Sequence, residues 1–242
     1  MLFCEYDVEE IKESCKEILD RLCDEEEDFV YFLDSPTRHN FDNVREYMAN
    51  GTVITTRGET KAILFCDGED DILSNFVIKI PFIGEDIDYC KYEVHNYNRA
   101  KEEGLSEFFA PCMKVFDYGE YDTPIYVMLR VEVDCDRAEC VMSDAFHRVY
   151  ESENPCSEDE DKDEYDRKID DYFWSNSCDE NFFTEIREDY DAQLADNLED
   201  FCGENCINDI HSANFGFQND QIVLIDYSGY GLTVNMEDKV NG

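Results

Sequence analysis

Three short segments carry side chains whose type and spacing could do chemistry. Lys79 sits inside residues 75–81 (NFVIKIP), with apolar neighbours along the segment. An ammonium group in that setting is costly to bury unless an anion pairs with it. Asp209 and Asn214 lie five residues apart in DIHSAN, a carboxylate and a carboxamide in one loop. Asp226 follows the apolar run 222–225. A strand end opens into a cleft, so an Asp there is a common metal ligand. Carboxylate and amide oxygens suit a hard cation such as Mg²⁺. Each segment also has a plainer reading: an edge-strand Lys facing solvent, an ordinary turn, and an Asp that caps the next turn.

These residues need elements to hold them. Val8, Ile11, Cys15, Ile18, Leu19 and Leu22 recur at helical spacing, which predicts an amphipathic helix over 7–23. Residues 41–48 are expected to form a short helix. Residues 52–56, 60–66 and 75–81 read as strands, and Asp67-Gly68 is a turn signal, so an antiparallel meander is expected. Cys90, Val94, Tyr97 and Ala100 predict a helix over 88–103, closed by Gly104. Two further strands are expected at 110–116 and 125–133. Beyond 135 the chain turns helical, with one buried helix marked by Phe183, Ile186, Tyr190, Leu194, Leu198 and Phe201. Near its end comes a turn at Asn219-Asp220 and then the strand 222–225. The fold class is therefore α+β: a helical extension over 1–50, a sheet with one helix over 51–133, and a helical part over 134–242. Within the last, residues 151–171 hold 11 acidic residues in 21 and read as an exposed insertion.

Composition narrows the function. The 242 residues carry 61 Asp and Glu against 20 Lys and Arg, a net charge of −41. With 43% hydrophobic and 14% aromatic residues the chain can still bury a core. A direct grip on nucleic-acid phosphates is not expected at this charge, nor is binding to an anionic membrane. A basic protein partner or a divalent cation fits it. The first residues, MLFCEYDVEE, show no secretory signal, and no stretch is apolar enough to span a bilayer, so a cytoplasmic location is expected. The 12 cysteines form no C-x-x-C pair and read as small apolar fillers in a reducing compartment, with a metal–thiol site as the alternative.

The order of the elements resembles the protein-kinase-like superfamily, and its aminoglycoside and choline phosphotransferase branch most. That branch reads D-[LI]-H-x-x-N and, about twelve residues on, three aliphatic residues and an Asp. Here DIHSAN is followed twelve residues after Asn214 by Asp226 at the end of IVLID. Upstream, a Gly-bearing turn, Val77-Ile78-Lys79 on a third strand, a helix with Glu93 and two more strands fall in the same order. The resemblance covers residues 50–230. It implies a minimal two-lobed fold that binds ATP and Mg²⁺ and passes the γ-phosphate to a hydroxyl. In that scheme Lys79 holds phosphates, Glu93 aims Lys79, and Asp209 takes the acceptor's proton. Asn214 and Asp226 hold Mg²⁺, Gly58 lets the backbone approach the phosphates, and Ile63, Ile78 and Leu224 wall the adenine.

The sequence departs from the pattern in three places. The turn over 55–60 has one Gly where the family has two or three. Ile207-Asn208 stands where His-Arg or His-Gly precedes the catalytic Asp. Only 16 residues follow Asp226, against several helices in the family, so a truncated second lobe is expected. Two functional classes compete: an ATP-dependent phosphotransferase, and a catalytically inactive kinase-like acidic protein or nucleic-acid mimic that engages a basic partner.

Overall fold

A computed structural model describes residues 6–44, 48–49, 52–55, 60–66, 72–83, 89–157 and 161–228. The chain divides into two compact units, residues 1–101 with 110–131 and residues 102–109 with 132–242.

The first unit is a six-stranded antiparallel sheet with helices. Helices α1 (Val8–Glu25), α2 (Glu27–Asp34) and α3 (Arg38–Val44) come first. Asp7 starts α1 by accepting the Glu9 N–H, and Ile11, Cys15, Ile18, Leu19 and Leu22 form its buried stripe. Strands β1 (Met48–Ala49), β2 (Thr52–Thr55), β3 (Lys61–Cys66), β4 (Phe76–Pro81), β5 (Cys112–Tyr118) and β6 (Thr123–Leu129) line up in the order β1-β2-β3-β4-β6-β5. Helix α4 (Tyr89–Glu103) connects β4 to β5.

The two-residue period of the strands splits this sheet into two chemically different faces. Ala62, Leu64, Cys66, Phe76, Ile78, Ile80, Ile125, Val127 and Leu129 join the stripe of α1 in one hydrophobic core. Phe29, Phe32 and Phe41 of α2 and α3 complete it, with Phe41 5.6 Å from Phe82 ring to ring. Helices α1, α2 and α3 thus cover one face of the sheet and share its core. The other face carries Lys61, Ile63, Lys79 and Tyr126, because Ile63 lies opposite Lys79 and Lys79 opposite Tyr126.

The second unit holds α5 (Cys135–Glu153), α6 (Lys162–Ser175), α7 (Cys178–Asp189), α8 (Ala192–Glu204) and the hairpin β7 (Phe215–Gln218) and β8 (Gln221–Leu224). The hairpin closes through Asn219 and Asp220, both at positive φ (52° and 65°), the two-residue turn that matches the strand twist. Arg137 lies 4.0 Å over the Phe217 ring and reaches Asp220 at 2.7 Å, tying the hairpin to α5.

One expectation for this unit is corrected. The single helix expected across Tyr190 is two helices. Tyr190 ends α7, and Asp191 accepts the Gln193 and Leu194 N–H groups to start α8. Most described residues of the acidic segment 151–171 are exposed, and it holds parts of two helices. Residues 151–153 finish α5, and 162–171 are the first turns of α6, which Asp161 caps and which bury Tyr165 and Ile169. Tyr165, Ile169 and Phe173, four residues apart, form the buried stripe of an otherwise acidic helix.

Candidate functional site

In the first unit, three charged groups meet on the second face of the sheet. Glu93 projects from α4, and its Oε2 accepts from Lys79 Nζ at 2.9 Å. Its Oε1 accepts from Lys79 Nζ at 3.1 Å and from Lys61 Nζ at 2.6 Å. Side-chain exposures of 2% for Lys61, 4% for Lys79 and 1% for Glu93 make this a dry ionic cluster. The expected pairing of Lys79 with Glu93 is present. Glu93 takes a place in the buried stripe of α4, where Val94 was expected, and a carboxylate is tolerable there because two ammonium groups answer it. Ile63 shares this face and is half-buried. Ile78 belongs to the opposite face and packs in the core with α1, because strand neighbours alternate, so it does not share the face of Lys79. Gly58 lies outside the described residues.

Lys61 was not expected. Its signal in the sequence is parity: it stands two residues before Ile63, the residue opposite Lys79, so both lysines fall on one face once the register is known. The register depends on the length of the turn between β3 and β4, and a sequence pattern does not fix that length.

In the second unit, the hairpin register brings the acidic loop and the strand end together. Phe215 pairs with Leu224, and the Ile225 N–H donates to the Asn214 carbonyl at 3.0 Å, so Asp226 follows immediately beside Asn214. Asn214 Nδ2 donates to the Asp209 backbone carbonyl at 2.8 Å and lies 3.5 Å from its Oδ2. Ser228 Oγ donates to Asp226 Oδ1 at 3.2 Å. His211 Nε2 stands 3.6 Å from Asp209 Oδ1, and both side chains are about half exposed. Asp209, Asn214 and Asp226 thus gather at the base of one hairpin. Their oxygens are the donor class Mg²⁺ prefers. Leu224, expected to wall an adenine, is fully buried against Phe109 and Phe215.

Among the described residues no group of three or more His, Cys, Asp or Glu side chains could hold a metal ion by itself, and all described cysteines are free. Burial raises the Cys178 thiol to about 11 and the Cys202 thiol to about 12, so neither is an activated nucleophile. Glu185 on α7 behaves differently from the surface acids. Burial, and then Asp189 beside it, push its carboxyl up to about 7, while Arg148 pulls the other way. Its Oε2 and the Oδ1 of Asn181, one turn earlier, are buried without a hydrogen-bond partner among the described residues. Sequence reading passed over Glu185 because nothing in its spacing separates it from its acidic neighbours.

No protein-family model matches this sequence, and no curated protein or solved structure matches it. No helix among the described residues is long and apolar enough to cross a membrane.

Proposed function

We propose that this chain binds ATP with Mg²⁺ and transfers the γ-phosphate to a hydroxyl acceptor. The observation that carries this is the buried ion pair of Lys79 and Glu93, on the strand and helix where the resemblance requires it. The gathering of Asp209, Asn214 and Asp226 at one hairpin is its second support. In this reading Lys79 donates to phosphate oxygens, and Glu93 aims its side chain. Asn214 and Asp226 would hold Mg²⁺, which when bound neutralises charge on the phosphates. Asp209 accepts the proton of the attacking hydroxyl, whose oxygen takes the phosphoryl group as ADP leaves. Positioning and charge, with little covalent work by the protein, are what phosphoryl transfer asks for.

Melting curves with ATP and Mg²⁺ test this. At 100 times Kd a ligand adds about 2.7 kcal/mol to stability, a shift of several degrees. AMP and ATP with EDTA should give far less. No shift with millimolar ATP and Mg²⁺ ends the reading.

A second reading, as an acidic binding protein, is favoured by a groove in the first unit. Asp28, Tyr31, Asp34, Asn40, Asn43 and Tyr121 line it, and Tyr31 and Tyr121 are 60% and 65% exposed. Carboxylates beside open aromatic faces suit an ammonium or guanidinium group. Titration with an arginine-rich peptide checks it: Tyr31→Ala should weaken binding, and equal affinity in that variant refutes it.

A further inference from the structure

The groove in the first unit joins three elements. Asp28, Tyr31 and Asp34 come from α2, Asn40 from α3, and Tyr121 from the turn between β5 and β6. Contacts behind the groove hold these walls together. Phe32 of α2 packs on Phe41 of α3, with ring centroids 5.2 Å apart. Thr123 Oγ1, just after the turn, donates to the Leu33 carbonyl at 2.7 Å. Asn40 Nδ2 donates to the Ser35 carbonyl at 2.8 Å. The groove is therefore formed before any ligand enters. Its volume of about 600 Å³ is that of a small-molecule site. A protein partner would need about 20–30 residues a side, and seven line this groove.

The charges here are unspent and within reach. Asp28, Tyr31, Asp34 and Tyr121 are all exposed, and neither Asp has a basic partner among the described residues. Asp34 lies at the C-terminal end of α2, whose last turn carries no basic residue. That end of a helix is the negative pole of its dipole and favours a cation, whatever the side chains around it. The order along α2 then sets the shape of the ligand. Asp34 follows Asp28 by six residues, a rise of about 9 Å along the helix, and Tyr31 lies midway. An extended chain of single bonds advances about 1.2 Å per bond, so the end nitrogens of spermidine stand about 11 Å apart and those of 1,3-diaminopropane about 5 Å. The longer amine reaches both carboxylates at once, and its methylene groups lie across the tyrosine rings, whose faces also attract its nitrogens.

We infer that this groove binds a linear polyamine, with one end ammonium on Asp28, the other on Asp34, and the chain across Tyr31 and Tyr121. This rests on the second reading above and narrows its ligand from any ammonium or guanidinium group to a small flexible polycation.

Titration calorimetry of spermidine into the full chain at physiological ionic strength tests this, because charges beyond about 8 Å are then screened. Spermidine should bind one-to-one and saturably. Asp28→Asn and Asp34→Asn should each weaken it by about three- to fivefold, and together by about tenfold or more. Tyr31→Leu keeps the bulk and removes the ring, and should weaken it by about threefold. Asp171→Asn removes the same charge from α6, outside the groove, and should change the affinity by less than about 1.5-fold. 1,3-Diaminopropane, which reaches one carboxylate at a time, should bind about tenfold more weakly than spermidine. Asp28, Tyr31, Asp34 and Asp171 are exposed, so these substitutions leave the fold intact. Binding that does not saturate, equal losses in Asp171→Asn and Asp28→Asn, or equal affinity for the two amines would trace the effect to diffuse negative charge and overturn the inference. If an arginine-rich peptide binds in a Tyr31-dependent way and spermidine does not bind, the second reading stands and the polyamine inference alone fails. If neither binds, both fall.

Discussion

Replacing Glu93 by Gln removes the carboxylate that two buried ammonium groups share. Both nitrogens contact the same Oε1, at 2.6 and 3.1 Å, so they stand no more than about 6 Å apart. At an effective dielectric of about 20, two like charges at that distance repel by about 3 kcal/mol. Breaking a buried ion pair by removing one partner costs about 3–5 kcal/mol in other proteins, which agrees with that figure. Domains of this kind are stable by about 5–15 kcal/mol, so Glu93→Gln should fold but with much of its margin gone. Urea unfolding followed by circular dichroism is the suitable assay, because urea does not screen charge. The midpoint should fall with little change in slope, the sign that stability and not compactness has changed. Adding Lys61→Met to Glu93→Gln should return about 1–2 kcal/mol, since it removes one of the two repelling charges. A Glu93→Gln protein within about 0.5 kcal/mol of the wild type would refute the dry cluster. So would a double variant that is weaker still by the full cost of a separate Lys61 substitution.

Three further outcomes follow from the same structure. Glu185 has a carboxyl raised from 4.5 to about 7 in the fold, so the folded state favours its proton. Its contribution is whole below pH 4.5 and is lost as pH rises through 7, a change of up to about 3 kcal/mol. Glu185→Gln should therefore gain on the wild type between pH 5 and pH 8 in urea midpoints, and a constant gap between the two proteins would show that Glu185 does not hold a proton near neutrality. Ile169→Ala in the acidic helix α6 should cost about 2–4 kcal/mol, because the side chain is fully buried; a change below about 0.5 kcal/mol would return the segment to the surface. Asp226→Asn should remove the Mg²⁺-dependent part of any ATP-induced rise in melting temperature, and a rise that survives unchanged would take Asp226 out of the Mg²⁺ site.

Much of this was legible in the residues. The period-two strands, the stripe of α1 and the Asn219-Asp220 turn are local signals, and local signals survive folding. That Lys79 needs an anion was legible from its apolar flanks, and Glu93 was singled out by the kinase-like order of strand and helix. Lys61 was not, because its neighbourhood is set by the register of β3 on β4 and not by its own flanks. Ile78 went astray for a related reason: next to Lys79 in sequence means opposite to it in a sheet. The break at Tyr190 was hidden because Tyr190 and Leu194 keep helical spacing across it, while the Asp191 cap supplies the stop. In the acidic segment charge density hid the helix, whose stripe of Tyr165, Ile169 and, just beyond, Phe173 is sparse in a composition count.

The most direct measurement is titration calorimetry of ATP into the full chain with and without Mg²⁺, repeated for Lys79→Met and Asp226→Asn. The expected result is saturable one-to-one binding that needs Mg²⁺, with ATP affinity reduced at least about tenfold by either substitution. An absence of binding at millimolar ATP, or binding that neither substitution changes, would contradict it.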